Sequence, residues 1–314
     1  MMDTQITHPQ LAQIAVGVDG TPESFAALTW AMREASVTGQ KVHAIYGWTH
    51  SWDLGDEPQT PKDWERVRGI INDELRSWAD EASVDTNFDM SALNLTSVHA
   101  AGTTALLDIG QRAHQIVVGR RTMNVVARWF LGSLSENLVN RAAAPVTVVR
   151  LMKNDDTAHS RSSSALESSM LGEGHLLPVV VGVDGSQVSL RALDFAAEAA
   201  RAEGRDLHVF YCWQTKTLAD YMQTEHAIPS VAEEDELARR VLDQIIQQAE
   251  IPPVVRVTGH AIHVPAAKGL ADASHYAHRI IVGSRGLGQF DKYALGSVSQ
   301  KLLDTSVAPV TVVH

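Results

Sequence analysis

The sequence predicts an α/β chain built from two tandem, doubly wound parallel sheets of about five strands each. Three observations lead there. The 314 residues suit two domains at roughly 100–200 residues apiece. The chain repeats itself: IAVGVDGTPESFAAL from Ile14 returns as VVVGVDGSQVSLRAL from Val179, placing Asp19 and Asp184 165 positions apart. Within each copy, short Val/Ile-rich runs alternate with apolar residues at helical spacing.

The landmarks keep their order along both copies. HAIYGW ends at Trp48 and HVFYCW at Trp213; IVVGRR carries Gly119 and IIVGSR carries Gly283; LGSLS contains Gly132 and LGSVS contains Gly296; APVTVVR holds Pro145 and APVTVVH holds Pro309. A period this long is a whole domain rather than a solenoid unit. The runs Ile14–Val18, Ile116–Val118 and Val146–Val149, with Val179–Val183, Ile280–Val282 and Val310–Val313 in the second copy, read as strands buried on both faces. Phe25, Leu28, Met32 and Ala35 mark a helix after the first strand, and Leu190, Leu193, Ala197 and Ala200 repeat its stripe. Val67, Ile71, Leu75 and Trp78 mark a second helix, matched by Leu237, Val241 and Ile245. The domains are expected at residues 10–150 and 176–314, with a Ser-rich linker over 151–175. The Val-rich last strands, Val146–Val149 and Val310–Val313, would be bare edges, and bare edges invite pairing. The two copies are therefore expected to pair through them as an intramolecular pseudo-dimer. Further homodimerisation is left open.

Composition narrows the class. A net charge of −11 disfavours a general nucleic-acid surface, which needs clustered Lys and Arg. No apolar run reaches the roughly 18–20 residues of a membrane span, and the first residues lack the basic and apolar regions of a signal peptide. The single cysteine, Cys212, excludes an intramolecular disulfide and a Cys-cluster metal site. A cytoplasmic protein is expected.

Open α/β sheets bind ligands beyond the C-terminal ends of their strands, where strand order reverses. Two strand ends carry unusual punctuation. The first strand of copy two ends in Gly182-Val183-Asp184-Gly185, and the fourth opens GSRGLGQFDKYALGSVS at Gly283. Side by side, these would set one carboxylate against one glycine-rich loop. Glycine lets backbone approach a ligand closely. A helix is expected to start at Ser297, capped by Ser297 or Ser299, and its free N–H groups favour an anion. Arg285 and Lys292 add positive charge. This chemistry describes a phosphate cradle with an acid placed for ribose hydroxyls or a metal ion.

On these residues the chain resembles the universal stress protein family, over nearly its whole length and in both copies. The spacing Gly283, Gly286, nine residues, Gly296-Ser297 is similar to that family's ATP signature, G-x2-G-x9-G-[ST]; the early Asp and the closing APVTVV strand match as well. The resemblance implies a Rossmann-like fold and an ATP ligand, with or without Mg. It puts the ribose at Asp184, the phosphates at Gly283, Ser284, Arg285, Gly286, Leu287, Gly288 and Gln289 and at Gly296, Ser297 and Val298, and the adenine beside Gly182 and Cys212. In copy one the same roles fall on Gly17, Asp19, Gly47, Gly119, Arg120, Arg121, Gly132, Ser133 and Leu134. There Thr122 stands where the signature has its second glycine. If that position needs positive φ, a β-branched residue there is strained by about 1 kcal/mol or more, so site one is expected to bind more weakly, or differently.

Other groups carry a plainer reading. His275 and His278 share a helix face, and His260 and His263 lie close in sequence, but no third ligand accompanies either pair, and no metal site beyond a nucleotide-bound Mg is expected. Cys212 and the tryptophans read as packing residues. The chain has no P-loop, no G-x-S-x-G elbow, no H-E-x-x-H and no candidate catalytic base. The sequence therefore reads as an ATP-binding stress-response or signalling module with little or no turnover and with unidentified protein partners. The alternatives are a slow ATPase or nucleotide-dependent enzyme, and a scaffold that has lost nucleotide.

Overall fold

The computed structural model describes residues 13–48, 60–120, 133–151, 176–215, 230–287 and 295–314. It divides into two compact units, Met1–Gly119 and Arg120–His314. Each is an α/β arrangement dominated by parallel strand pairing, as the alternating pattern predicts.

In the first unit, β1 (Gln13–Gly17), β2 (Lys41–Trp48), β3 (Leu93–His99) and β4 (Gln115–Gly119) lie in the order β3-β2-β1-β4, all parallel. Helix α1 (Pro22–Thr38) starts at Thr21, whose side chain accepts from the Ser24 N–H, and ends at Gly39 in the left-handed region. Both are the residue types those positions favour. Helix α2 (Pro61–Ser83) opens with a capping box between Thr60 and Asp63 and buries Val67, Ile71, Leu75 and Ala79 at the spacing of one helix face. Helix α3 (Gly102–Ile109) contacts β1 and β2.

In the second unit the strands are β5 (Val146–Val149), β6 (Val179–Gly182), β7 (Leu207–Trp213), β8 (Val257–His263), β9 (Arg279–Gly283) and β10 (Val310–Val313), in the order β5-β10-β9-β6-β7-β8. Its helices are α4 (Ser133–Arg141), α5 (Gln187–Glu203), α6 (Val231–Gln248), α7 (Ala266–Ala273) and α8 (Ser297–Thr305). The main core joins alternate residues of β6 and β7 (Val179, Val181, Leu207, Val209) to the inner stripes of α5 and α6 (Leu193, Ala197, Ala200, Leu242, Ile245). Alternation sends Gly182, Phe210 and Cys212 to the opposite face, and a Cβ at Gly182 would stand 2.6 Å from Leu270 of α7.

The last strands pair as their edges predict. β5 runs antiparallel to β10, Thr147 opposite Thr311, with the two buried hydroxyl oxygens 2.9 Å apart. The repeat assigns α4 and β5 to the first copy, whereas their packing places them in the second unit.

A buried ionic cluster stands at the far end of α5. The Glu203 carboxylate meets the Arg279 guanidinium, His278 Nε2 at 3.0 Å and Arg205 Nε at 3.1 Å. Burial penalises its charge, yet Arg279, then His278 and Arg205, outweigh that and hold the carboxyl down at about 2. In the first unit Gln115 occupies the place of Arg279 and donates to Glu34 Oε1 at 2.7 Å.

Candidate functional site

The C-terminal ends of β6 and β9 stand side by side, because these strands pair directly, Gly182 opposite Val282. Beyond β6 the chain turns through Asp184 and Gly185, the latter at φ +83°, a conformation that favours glycine. Asp184 is fixed from both sides. Its N–H donates to Ser189 Oγ at 3.3 Å, and its Oδ1 accepts from the Ser186 N–H at 3.0 Å. Its other oxygen, Oδ2, accepts from the Leu287 N–H at 3.0 Å across 103 residues of chain. A Cβ at Gly286 would lie 2.3 Å from that oxygen. Glycine at 286 is thus the residue that lets the loop close on the carboxylate.

Around this contact lies a cavity of about 370 Å³, within the range of small-molecule sites. Gly182, Asp184, Cys212, Gly283, Arg285, Gly286, Leu287, Gly296, Ser297 and Val298 all line it. The sequence thus named most of its wall. Ser284 is an exception: its side chain is buried and does not line the cavity. Gly288 and Gln289 lie outside the described residues, as does Lys292. The structure adds Phe210, Leu270, Ala266 and Ser189 to the wall. Ser189 had a legible signal, since Ser24 repeats it 165 positions earlier and makes the same bond to the Asp19 N–H.

Helix α8 starts at Ser297 as predicted, but the cap differs. Gly296 is the N-cap and no side chain caps the helix. The Ser299 hydroxyl instead donates to the Gly283 carbonyl at 2.7 Å, because the Gly296 N–H is already drawn back to the Ser284 carbonyl at 2.7 Å, which folds the helix start against β9. The uncapped first turn of α8 faces the cavity through Ser297 and Val298, with the dipole end that favours negative charge. Cys212 sits in the wall as a protonated thiol: burial pushes it up to about 11.

The residues present fit a nucleotide. A carboxylate suits ribose hydroxyls, uncapped helix N–H groups and a cation suit phosphate, and apolar side chains from Phe210 and Leu270 suit a base. Among the described residues no group of three or more His, Cys, Asp or Glu stands together to hold a metal, and Asp184 is the one carboxylate in the described wall.

The first copy differs at matching positions. Asp19 Oδ1 accepts from both the N–H and the hydroxyl of Thr21, at 3.2 and 2.6 Å. Gly17 packs against Leu106 of α3. Gly47, which matches Cys212, lies so close to α3 that a Cβ would stand 2.5 Å from the Gly102 Cα. At Gly119 a Cβ would stand 2.2 Å from the Glu23 carbonyl oxygen. Arg120 reaches a backbone acceptor. Its Nη1 donates to the Asp304 carbonyl at 2.8 Å near the end of α8, where a cation answers the negative end of the helix dipole. Arg121, Thr122 and Gly132 lie outside the described residues, as do the side chains of Ser133 and Leu134.

Relatives agree with this architecture. The chain is 31% identical over 307 residues to a universal stress protein of Mycolicibacterium smegmatis, covering 96% of each. It is 27% identical over 304 residues to one from Mycobacterium tuberculosis, covering 95% of this chain and 96% of the relative. Among solved structures, a universal stress protein from Archaeoglobus fulgidus matches 96% of this chain and 98% of its own with a TM-score of 0.62, at 16% identity, which speaks for the fold. The model of the universal stress protein family matches residues 11–150 and 177–314, so the chain belongs to that family in both of its copies.

Proposed function

We propose that the second copy is an adenine-nucleotide site, with ATP as its principal ligand, and that occupancy biases conformation or partner choice instead of feeding a fast reaction. The observation that carries this reading is the convergence of Asp184, the Gly283–Leu287 loop and the uncapped start of α8 on one cavity. In this reading Asp184 takes the ribose, loop and helix N–H groups take the phosphates with Arg285, and Cys212 and Phe210 border the base. A Mg ion would ride on the phosphates, since the described wall offers a single carboxylate. Asp184, Cys212 and Arg285 are the titratable side chains in that wall. A carboxylate tied to backbone, a protonated thiol and a guanidinium make no general-base pair, which favours retention over turnover. The antiparallel β5–β10 pairing supports a covalently tied pair of copies acting as one module. The cytoplasm is the compartment we propose for it, on its sequence alone.

A ligand that binds only the native state stabilises it by about 2.7 kcal/mol at a hundredfold excess over Kd, which for a unit of this size raises Tm by about 5–10 °C. Thermal unfolding with and without ATP is expected to show that rise in the wild type and to lose most of it in Asp184→Ala. Equal shifts in both proteins would place the nucleotide elsewhere.

A further inference from the structure

The outer edge of the second sheet carries another cavity, of about 620 Å³, distinct in its walls from the one around Asp184 except for Phe210. β7 and β8 run parallel with His208 opposite Thr258 and Phe210 opposite His260, so alternation sets His208 and His260 on one face, diagonal to each other. Helix α7 packs on β6 and β7, and the face over β8 opens into the cavity, whose wall includes His208, His260, Tyr276, Asp206 and Asp272.

The two imidazoles meet there. Nε2 of His260 lies 3.3 Å from Nδ1 of His208, with ring centroids 4.9 Å apart. That is long for a hydrogen bond between ring nitrogens. It equals the edge between two ligands of a tetrahedral metal ion: at about 2.0–2.1 Å from the metal, two imidazole nitrogens stand ~3.3–3.4 Å apart.

We propose that His208 and His260 form a two-imidazole site for one divalent transition-metal ion, with water from the open cavity completing the coordination shell. Cu²⁺, which stands highest in the general order of affinities at nitrogen sites, serves as its probe. The carboxylates of the wall are engaged elsewhere, Asp206 facing Arg256 at 3.9 Å and Asp272 bonded to Lys268 at 2.7 Å. Among the described residues no third acidic, His or Cys group joins the pair, so the site is a two-point clamp.

The first copy supplies the control variant. His43 matches His208 and Thr96 matches His260, and His43 Nε2 lies 2.7 Å from Thr96 Oγ1. The same sheet position therefore accommodates threonine against histidine. The 314-residue chain would be titrated with Cu²⁺ against glycine as competitor, and the bound ion read by electron paramagnetic resonance. The expected result is one retained ion per chain with hyperfine coupling to two imidazole nitrogens. His260→Thr should lower its affinity by about tenfold or more, since loss of a mere outer-shell partner already costs roughly 10–100-fold, and remove one nitrogen from the spectrum, with unchanged circular dichroism. His208→Phe should do the same, so a folding failure in one variant leaves the other decisive. A wild type that yields all its Cu²⁺ to glycine overturns the proposal. So does a two-nitrogen signal of undiminished affinity in His260→Thr.

Discussion

At the residue scale, Asp184 and Glu203 show how one residue class takes opposite work. Asp184 lines an open cavity and holds a loop through the Leu287 N–H. Glu203 is buried among Arg279, Arg205 and His278 and serves the fold. Its carboxyl titrates lower in the folded protein than the ordinary value of 4.5, at about 2. The sign is that of a depressed acid: its stabilisation is complete above the unfolded value and drains away as pH falls from 4.5 toward 2. Glu203→Gln should cost about 3–5 kcal/mol near neutral pH, because it leaves buried cations uncompensated. The penalty should shrink below pH 4 in denaturant unfolding. A cost that stays constant from pH 7 to pH 3 would mean that the carboxylate charge does not carry the cluster.

At the element scale, the β-strands and the glycine loop were legible in the sequence, and the helix cap was not. Val/Ile runs with matching offsets fix strands, because a strand buried on both faces has few alternatives to a continuous apolar run. The cap at α8 depends on a competition no local pattern shows: Ser299 could bond its own helix or the end of β9, and the Gly283 carbonyl wins. Ser299→Ala should therefore cost about 1 kcal/mol and raise hydrogen exchange at Gly283–Leu287, where β9 loses its tie. Unchanged exchange in that loop would show that the bond does not restrain it. Arg120 escaped sequence reasoning for a similar reason, since its partner Asp304 is 184 positions away. The His208–His260 contact needs the β7–β8 register, which the spacing of the histidines within one strand cannot supply. The copies also differ at this scale. Asp19 is engaged by both the N–H and the hydroxyl of Thr21, and the backbone at Gly47 is pressed against α3. ATP titration of Asp19→Ala and Asp184→Ala should show the greater loss of affinity for Asp184→Ala. Equal losses would make the two sites equivalent.

At the scale of the whole molecule, duplication explains both what the copies share and what they can afford to vary. The repeated edge strands, β5 and β10, meet antiparallel with Thr147 on Thr311. With that pairing kept, one copy can retain the complete glycine spacing while the other departs from it at Thr122. The central claim is that the intact spacing holds an adenine nucleotide, and Gly286 tests it most directly. A Cβ there would lie 2.3 Å from the Asp184 carboxylate, so Gly286→Val must separate the loop from the acid while leaving the helices and strands in place. Calorimetric titration of ATP into the wild type and into Gly286→Val, with circular dichroism to confirm the fold, should show binding in the wild type and its loss at the second site in the variant. Undiminished affinity in a folded Gly286→Val would contradict the account.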